Sequence, residues 1–300
     1  MFAEVVIKPT LGAALALLTL LLVACDPGSD GPAPAADTEQ PADTSGEVAQ
    51  VPATTEVQRT VVSDQLPYAE IDDELVYGYF VFPSDMIEPL PAVIVFHERW
   101  GLTDDVRKRA DKLAAEGHIV LAVDLFNGKT TNDPSVARAL MTRVIEKPDP
   151  VISNIRSAFE FVNDTAGAPR TGALGWGFGG TWSMNAAILF GDEIDATVIY
   201  YGQITSDEDK LRTANSPVLG LFAGKDRSMP AESVEAFEQS MKRLRKTYDI
   251  HVYPQAGAGF ANPSSNRFDA EVASDAWGRT LEFLKTHLSV SDDDRGSESG

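Results

Sequence analysis

The chain has 300 residues, 43% of them apolar, and a formal net charge of −20. That length and apolar fraction suffice for one large packed domain or two small ones. The acid surplus disfavours nucleic acid as a partner, because phosphate binding needs clustered Lys and Arg. A single cysteine, Cys25, excludes an intramolecular disulfide and a cysteine-based zinc site.

Residues 1–25, MFAEVVIKPTLGAALALLTLLLVAC, place Lys8 ahead of an apolar run over 11–24. The run is short for a spanning helix and ends in small residues, the pattern of an export signal. Its ending LVAC (22–25) resembles a bacterial lipobox, whose cysteine is lipidated and becomes the new N-terminus. The resemblance implies a lipoprotein signal peptide over 1–25 and acyl chains on Cys25 that hold the protein at a membrane. It implies a cell-envelope location, on the periplasmic face in a Gram-negative cell. The alternative is a plain signal peptide with a chance cysteine. Asp26 resembles the inner-membrane retention residue of some such lipoproteins.

Residues 26–59 are rich in Pro, Ala, Asp and Thr, and 26–58 hold seven acids and no base. Such a segment buries too little apolar surface to offset the entropy of ordering, so it reads as a disordered tether. The acidic tail 290–300 reads the same way. The last ten residues carry −3, which with −7 in the tether leaves −10 for the rest of the chain.

Over 60–289 apolar strand runs alternate with helical patterns, without repeats or a second domain. ELVYGYFVFP (74–83) alternates like an outer strand, and PAVIVFHE (91–98) is a continuous run, as in a strand covered on both faces. An amphipathic helix follows, closed by Gly117, then the strand HIVLAVDL (118–125). Helices near 134–146 and 149–164 precede a strand at 171–176 and a helix at 178–190. Strand IDATVIYYG, a short helix near 207–214, strand PVLGLFAGKD, a helix at 231–246, strand DIHVYP and a final helix near 267–287 complete the pattern. This alternation implies an α/β fold with a mostly parallel sheet and helices on both faces. Such sheets place their sites at the carboxyl ends of strands.

The loops at those ends read HERWG (97–101), DLFNGK (124–129), GWGFGG (175–180), GKDRSMP (224–230) and AGAGFANP (256–263). TGALGWGFGG (171–180) reads as a strand entering a sharp turn and then a helix. That is the setting of a nucleophile in the pattern G-x-(nucleophile)-x-G. Here the outer glycines are Gly175 and Gly179, and the residue between them is Gly177.

In this order the loops resemble the dienelactone hydrolase family of α/β-hydrolases, over roughly residues 65–288. The resemblance implies an α/β-hydrolase core that cleaves esters and lactones with a Cys or Ser nucleophile, an Asp and a His, and no cofactor or metal. The nucleophile position is Gly177, the acid is Asp226 in GKDRSMP, and the histidine position is Ala258 in AGAGFAN. Two of the three groups are thus replaced by residues that can neither attack nor take a proton. The oxyanion hole maps to the backbone N–H groups of Phe178 and Arg99. Glu98 matches a family glutamate that contacts the resting nucleophile; bonded to loop N–H groups or to Arg99, it would be structural instead. Trp100, Trp176 and Phe178 are candidates to line an apolar pocket, with core packing as the alternative. Asn262 stands where family members carry an arginine for the substrate carboxylate, which argues against dienelactone itself as ligand. Of the four histidines only His97 falls near the site, and Thr181 and Ser183 are the hydroxyls nearest the elbow.

The reading this favours is a hydrolase scaffold, impaired or inactive, that binds a small ester, lactone or carboxylate. The alternative is an active ester hydrolase in which Glu98 or Asp226 activates water. A purely structural envelope protein is a third reading.

Overall fold

Five runs of the sequence, AVIVF, IVLAV, TGALGW, ATVIY and VLGLFA, are buried at every residue. A strand can be apolar along its whole length only where both faces are covered. These runs are β3 (Ala92–Phe96), β4 (Ile119–Val123), β5 (Thr171–Trp176), β6 (Ala196–Tyr200) and β7 (Val218–Ala223). The structure is a computed structural model and describes residues 59–289. The expected signal peptide, tether and tail, Cys25 included, lie outside the described residues.

Strands β1 (Val61–Ile71), β2 (Glu74–Pro83) and β8 (Tyr248–Tyr253) complete one eight-stranded sheet of order β1-β2-β4-β3-β5-β6-β7-β8. From β4 to β8 every neighbour is parallel, while β2 runs antiparallel to both β4 and β1. The helices are α1 (Asp104–Ala115), α2 (Pro134–Glu146), α3 (Pro148–Glu160), α4 (Phe178–Phe190), α5 (Glu208–Leu211), α6 (Ala231–Arg243) and α7 (Ala270–Leu288). Successive side chains of β3 enter opposite layers, as the two-residue period of a strand requires. Val93 and Val95 pack with Leu113 of α1 and Leu284 of α7. Ile94 and Phe96 pack with Ile155 and Phe159 of α3. A third apolar cluster joins Met184 of α4 to Phe237 and Met241 of α6.

Four expected helix boundaries move, among them that of 231–246, which ends at Arg243. The helix expected over 149–164 ends at Glu160 and widens into a π turn, Phe161–Thr165. The last helix starts at Ala270, not 267, because the Asp269 side chain caps it by accepting from the Val272 N–H at 3.1 Å. The short helix covers only Glu208–Leu211. Strand β1 was not expected at all.

Parallel strands bring the loops after β3, β5, β6, β7 and β8 to one edge of the sheet. A buried polar chain holds the loop after β4 there: Tyr68 donates to Asn154, whose amide donates to the Asp124 carbonyl at 2.9 Å. The Asp124 carboxylate in turn accepts from the Phe126 N–H at 2.8 Å and from the Gly128 N–H.

Candidate active site

The turn from β5 into α4 is built by close backbone approach. A β-carbon on Gly179 would lie 2.1 Å from the Phe96 carbonyl oxygen, and one on Gly175 would lie 2.2 Å from the Gly179 carbonyl. No side chain fits at either place. Gly177 differs. Its φ of +55° and ψ of −113° are a conformation that glycine takes at little cost. A β-carbon there would meet nothing nearer than the Tyr201 ring, 3.8 Å away. The backbone thus has the sharp turn of a nucleophile elbow, with room for a side chain at its apex.

Phe178 is the first residue of α4, so its N–H has no partner inside the helix. Among the described residues neither the Phe178 nor the Arg99 N–H is taken by another group. Both are free donors, as an oxyanion hole requires. The neighbouring hydroxyls are occupied. Ser183 is fully buried and donates to the Val198 carbonyl at 3.0 Å. Thr181 Oγ1 donates to the Gly177 carbonyl at 3.4 Å and accepts from the Gln203 N–H at 2.9 Å.

Glu98, 8% exposed, has partners other than those expected. Its Oε2 accepts from Arg109 Nη2 at 3.0 Å and from Asn262 Nδ2 at 2.5 Å, and its Oε1 accepts from the Tyr201 hydroxyl at 3.4 Å. Arg99 takes no part; its guanidinium lies 4.3 Å over the Trp100 ring. Asn262, expected to face a ligand, is turned inward and buried. Trp176, expected as a pocket wall, is a core residue, 1% exposed, with Arg109 stacked 4.3 Å from its ring. The Phe178 ring packs against Phe126 and Trp182.

Sequence reasoning missed Arg109 and Tyr201. Arg109 carried a signal: it occupies a core slot in the stripe Val106, Arg109, Ala110, Leu113, spaced i, i+3, i+4, i+7. Tyr201 directly follows β6 in a left-handed conformation, φ +38°, rare for a residue with a side chain. Burial, and after it the Glu98 charge, pushes its phenol well above the ordinary range, so it stays a protonated donor. His97 is fully buried, with Nδ1 2.6 Å from the Glu98 carbonyl and Nε2 accepting from the Leu125 N–H at 3.0 Å. Both nitrogens are engaged within the fold, and Nε2 also lies 3.7 Å from Asp124 Oδ1.

Arg109 neutralises a buried carboxylate, and Arg109→Met would leave that charge to two neutral donors. The expected cost is about 3 kcal/mol in urea unfolding, the scale for breaking a buried pair from one side. A loss under ~1 kcal/mol, the scale of an exposed pair, would show that Glu98 finds solvent.

Asp226 follows β7. Its Oδ1 accepts from the Ser228 N–H at 2.8 Å and the Ser228 hydroxyl at 2.7 Å. Its Oδ2 is buried with no partner among the described residues. Asp226, Ala258 and Arg99 share the wall of one open cleft of about 750 Å³. The structure thus brings Asp226, Ala258 and the first loop to one cleft. At the elbow, the Tyr201 ring lies 3.8 Å from where a Gly177 β-carbon would sit, and it packs on Phe260 at 5.0 Å. Trp176 and Asn262 support the site from beneath. A second depression of about 400 Å³ on α2, around Arg138 and Arg143, contains none of these residues. Among the described residues no three His, Cys, Asp or Glu side chains are grouped as metal ligands.

Comparison with known proteins agrees with this geometry. The profile of the "Dienelactone hydrolase family" matches residues 76–288. A protein of Escherichia coli (strain K12), named "Putative carboxymethylenebutenolidase", is 31% identical over 225 residues, 70% of this chain and 82% of its own length. A protein of the same name from Aquifex aeolicus (strain VF5) is 29% identical over 205 residues, 66% of this chain and 89% of its own. The crystal structure of the "Putative Dienelactone Hydrolase" from Klebsiella pneumoniae superposes with a TM-score of 0.68 at 25% identity, over 75% of this chain and 98% of that one. The architecture is an α/β-hydrolase fold.

Proposed function

Because the chain belongs to the dienelactone hydrolase family, we propose that it is a carboxylic ester or lactone hydrolase scaffold that has lost its chemistry and kept its frame. In this reading the free N–H groups of Phe178 and Arg99 receive a carbonyl oxygen, and the cleft beside Asp226 holds a small ester, lactone or carboxylate. Gly177 carries the reading. Room for a side chain exists at the apex of the elbow, and the residue there has none. Without a nucleophile no acyl-enzyme forms. Without Ala258 replaced by a base, no group takes the proton. Donors and binding alone still sustain about 10³–10⁴-fold over water in serine hydrolases stripped of their triad. Trace turnover is thus expected, and efficient turnover is not. The lipobox at 22–25 extends the proposal to an exported protein held at a membrane through Cys25, on sequence alone.

One observation favours a second reading, hydrolysis by water that a carboxylate activates. The Asp226 Oδ2 is unpartnered, whereas both oxygens of Glu98 are engaged. Of the two carboxylates considered from sequence, Asp226 is the one with a free oxygen.

Rapid mixing with 4-nitrophenyl acetate, followed by intact-mass measurement, tests the proposal. The expected trace is linear from the start, with no acetyl adduct within residues 59–289. A stoichiometric burst with an adduct there would overturn it. Steady hydrolysis that Asp226→Ala abolishes would move the conclusion to the second reading.

A further inference from the structure

Of the 23 lysines and arginines among the described residues, eight arginines are in ion pairs with carboxylates. Arg109 meets Glu98, Arg156 meets Glu193, Arg243 meets Glu208 and Arg279 meets Asp275. With 45 acids for 25 bases, an unpaired cation is not short of partners. Four basic residues, Arg99, Lys225, Arg227 and Arg267, line the cleft that Asp226 and Ala258 share. Among the described residues none of the four has a carboxylate within ion-pair distance.

The same wall carries two acids, and Asp226 keeps its Oδ2 unpartnered. Asp269 caps α7, and Asp226 holds Ser228 through one oxygen. Two of the cations are oriented without being neutralised. Arg267 Nη1 donates to the Ala258 carbonyl at 3.4 Å, beside the histidine position, and Arg99 rests on Trp100. Four positive charges against two negative ones leave the wall at +2, on a chain that is strongly negative overall. Like charges gathered in one concavity repel each other, and a bound anion relieves that repulsion while gaining charge-assisted hydrogen bonds.

We infer that this cleft takes a small ligand carrying two negative charges, either a phosphomonoester or a dicarboxylate. The inference deepens the binding reading above and rests on it. A volume near 750 Å³ suits a small molecule. The negative remainder of the chain repels an extended polyanion. A single carboxylate would leave half of the excess uncompensated, and two charges balance it. Arg227 and Arg267 carry fork-shaped guanidiniums suited to planar or tetrahedral oxyanions, and among the described residues neither is paired with a carboxylate.

Calorimetric titration of the full chain tests this with four probes of similar size: phenyl phosphate, isophthalate, benzoate and methyl benzoate. At least one dianion should bind tenfold or more tighter than benzoate, and whichever leads identifies the source of the charge. Arg227→Gln and Arg267→Gln should each lower dianion affinity several-fold and leave methyl benzoate unchanged. Lys225→Gln gives a third, independent variant, and thermal melts check that each still folds. Equal affinity for benzoate and the dianions, or dianion binding that no variant weakens, would overturn the inference while leaving the scaffold reading standing. Failure of all four probes, the neutral ester included, would sink both.

Discussion

Gly177→Cys and Ala258→His, introduced together, should raise the initial rate of 4-nitrophenyl acetate hydrolysis about a thousandfold or more over the unmodified chain. The frame the pair would enter is already built. A cysteine β-carbon at 177 reaches only van der Waals contact with the Tyr201 ring, at 3.8 Å. A histidine at 258 would enter the cleft that Asp226 lines, where the buried Oδ2 is ready to accept its N–H. The donors at Phe178 and Arg99 need no change. One cost is foreseeable: a side chain at φ +55° carries strain of about 1–3 kcal/mol, which slightly lowers stability without touching the chemistry. Each substitution alone should recover little, because nucleophile and base act as a unit. If the unmodified chain already equals the double variant, the attacking group lies elsewhere and Gly177 is not the catalytic position.

Gly179→Ala should cost more than about 4 kcal/mol, enough to remove the cooperative unfolding transition of a marginal domain. The new β-carbon would lie 2.1 Å from the Phe96 carbonyl oxygen and 2.6 Å from that of His97, and backbone cannot step aside as a flexible side chain can. Relief would require α4 to move off β3, opening the sheet at its most buried strand. Gly177→Ala is the control two residues away. It meets no clash and should cost only the ~1–3 kcal/mol of a side chain held at this positive φ. Urea unfolding of the pair separates the outer glycine, required by packing, from the central one, which packing does not require. Equal costs would mean that the central glycine is also structural, and would remove the main support for a lost nucleophile.

The parallel core was legible because five strands are nearly continuous apolar runs, each followed by a glycine- or charge-bearing loop. Strand β1 was not. VVSDQLPYAEI has its polar residues on an exposed edge, and Pro67 sits where the register shifts between Pro67 and Ala69. Both features erase the alternation that marks a strand. The loops of the site were legible because each follows a buried strand directly. What lies beneath them was not. Asn262 was placed by position in its motif, but its side chain answers to Glu98, 164 residues earlier. Trp176 closes a buried strand, and the helix next door covers it with Arg109. Arg109 itself looked like one more charge on an amphipathic helix, until its slot in the apolar stripe is noticed. Such partnerships between distant residues leave no local trace, because each residue's own neighbourhood is ordinary.

The tie from Glu98 to Arg109 and Asn262 also bears on the order in which the molecule is made. Arg109 lies 11 residues from Glu98, so the growing chain delivers it almost at once. Asn262 comes after every strand of the sheet. A ring that long is entropically slow to close. Until it closes, an assembling core holds a carboxylate and a guanidinium without their third member. The third member of this cluster therefore becomes available only once the chain through β8 has been made, with α7 (Ala270–Leu288) still to follow.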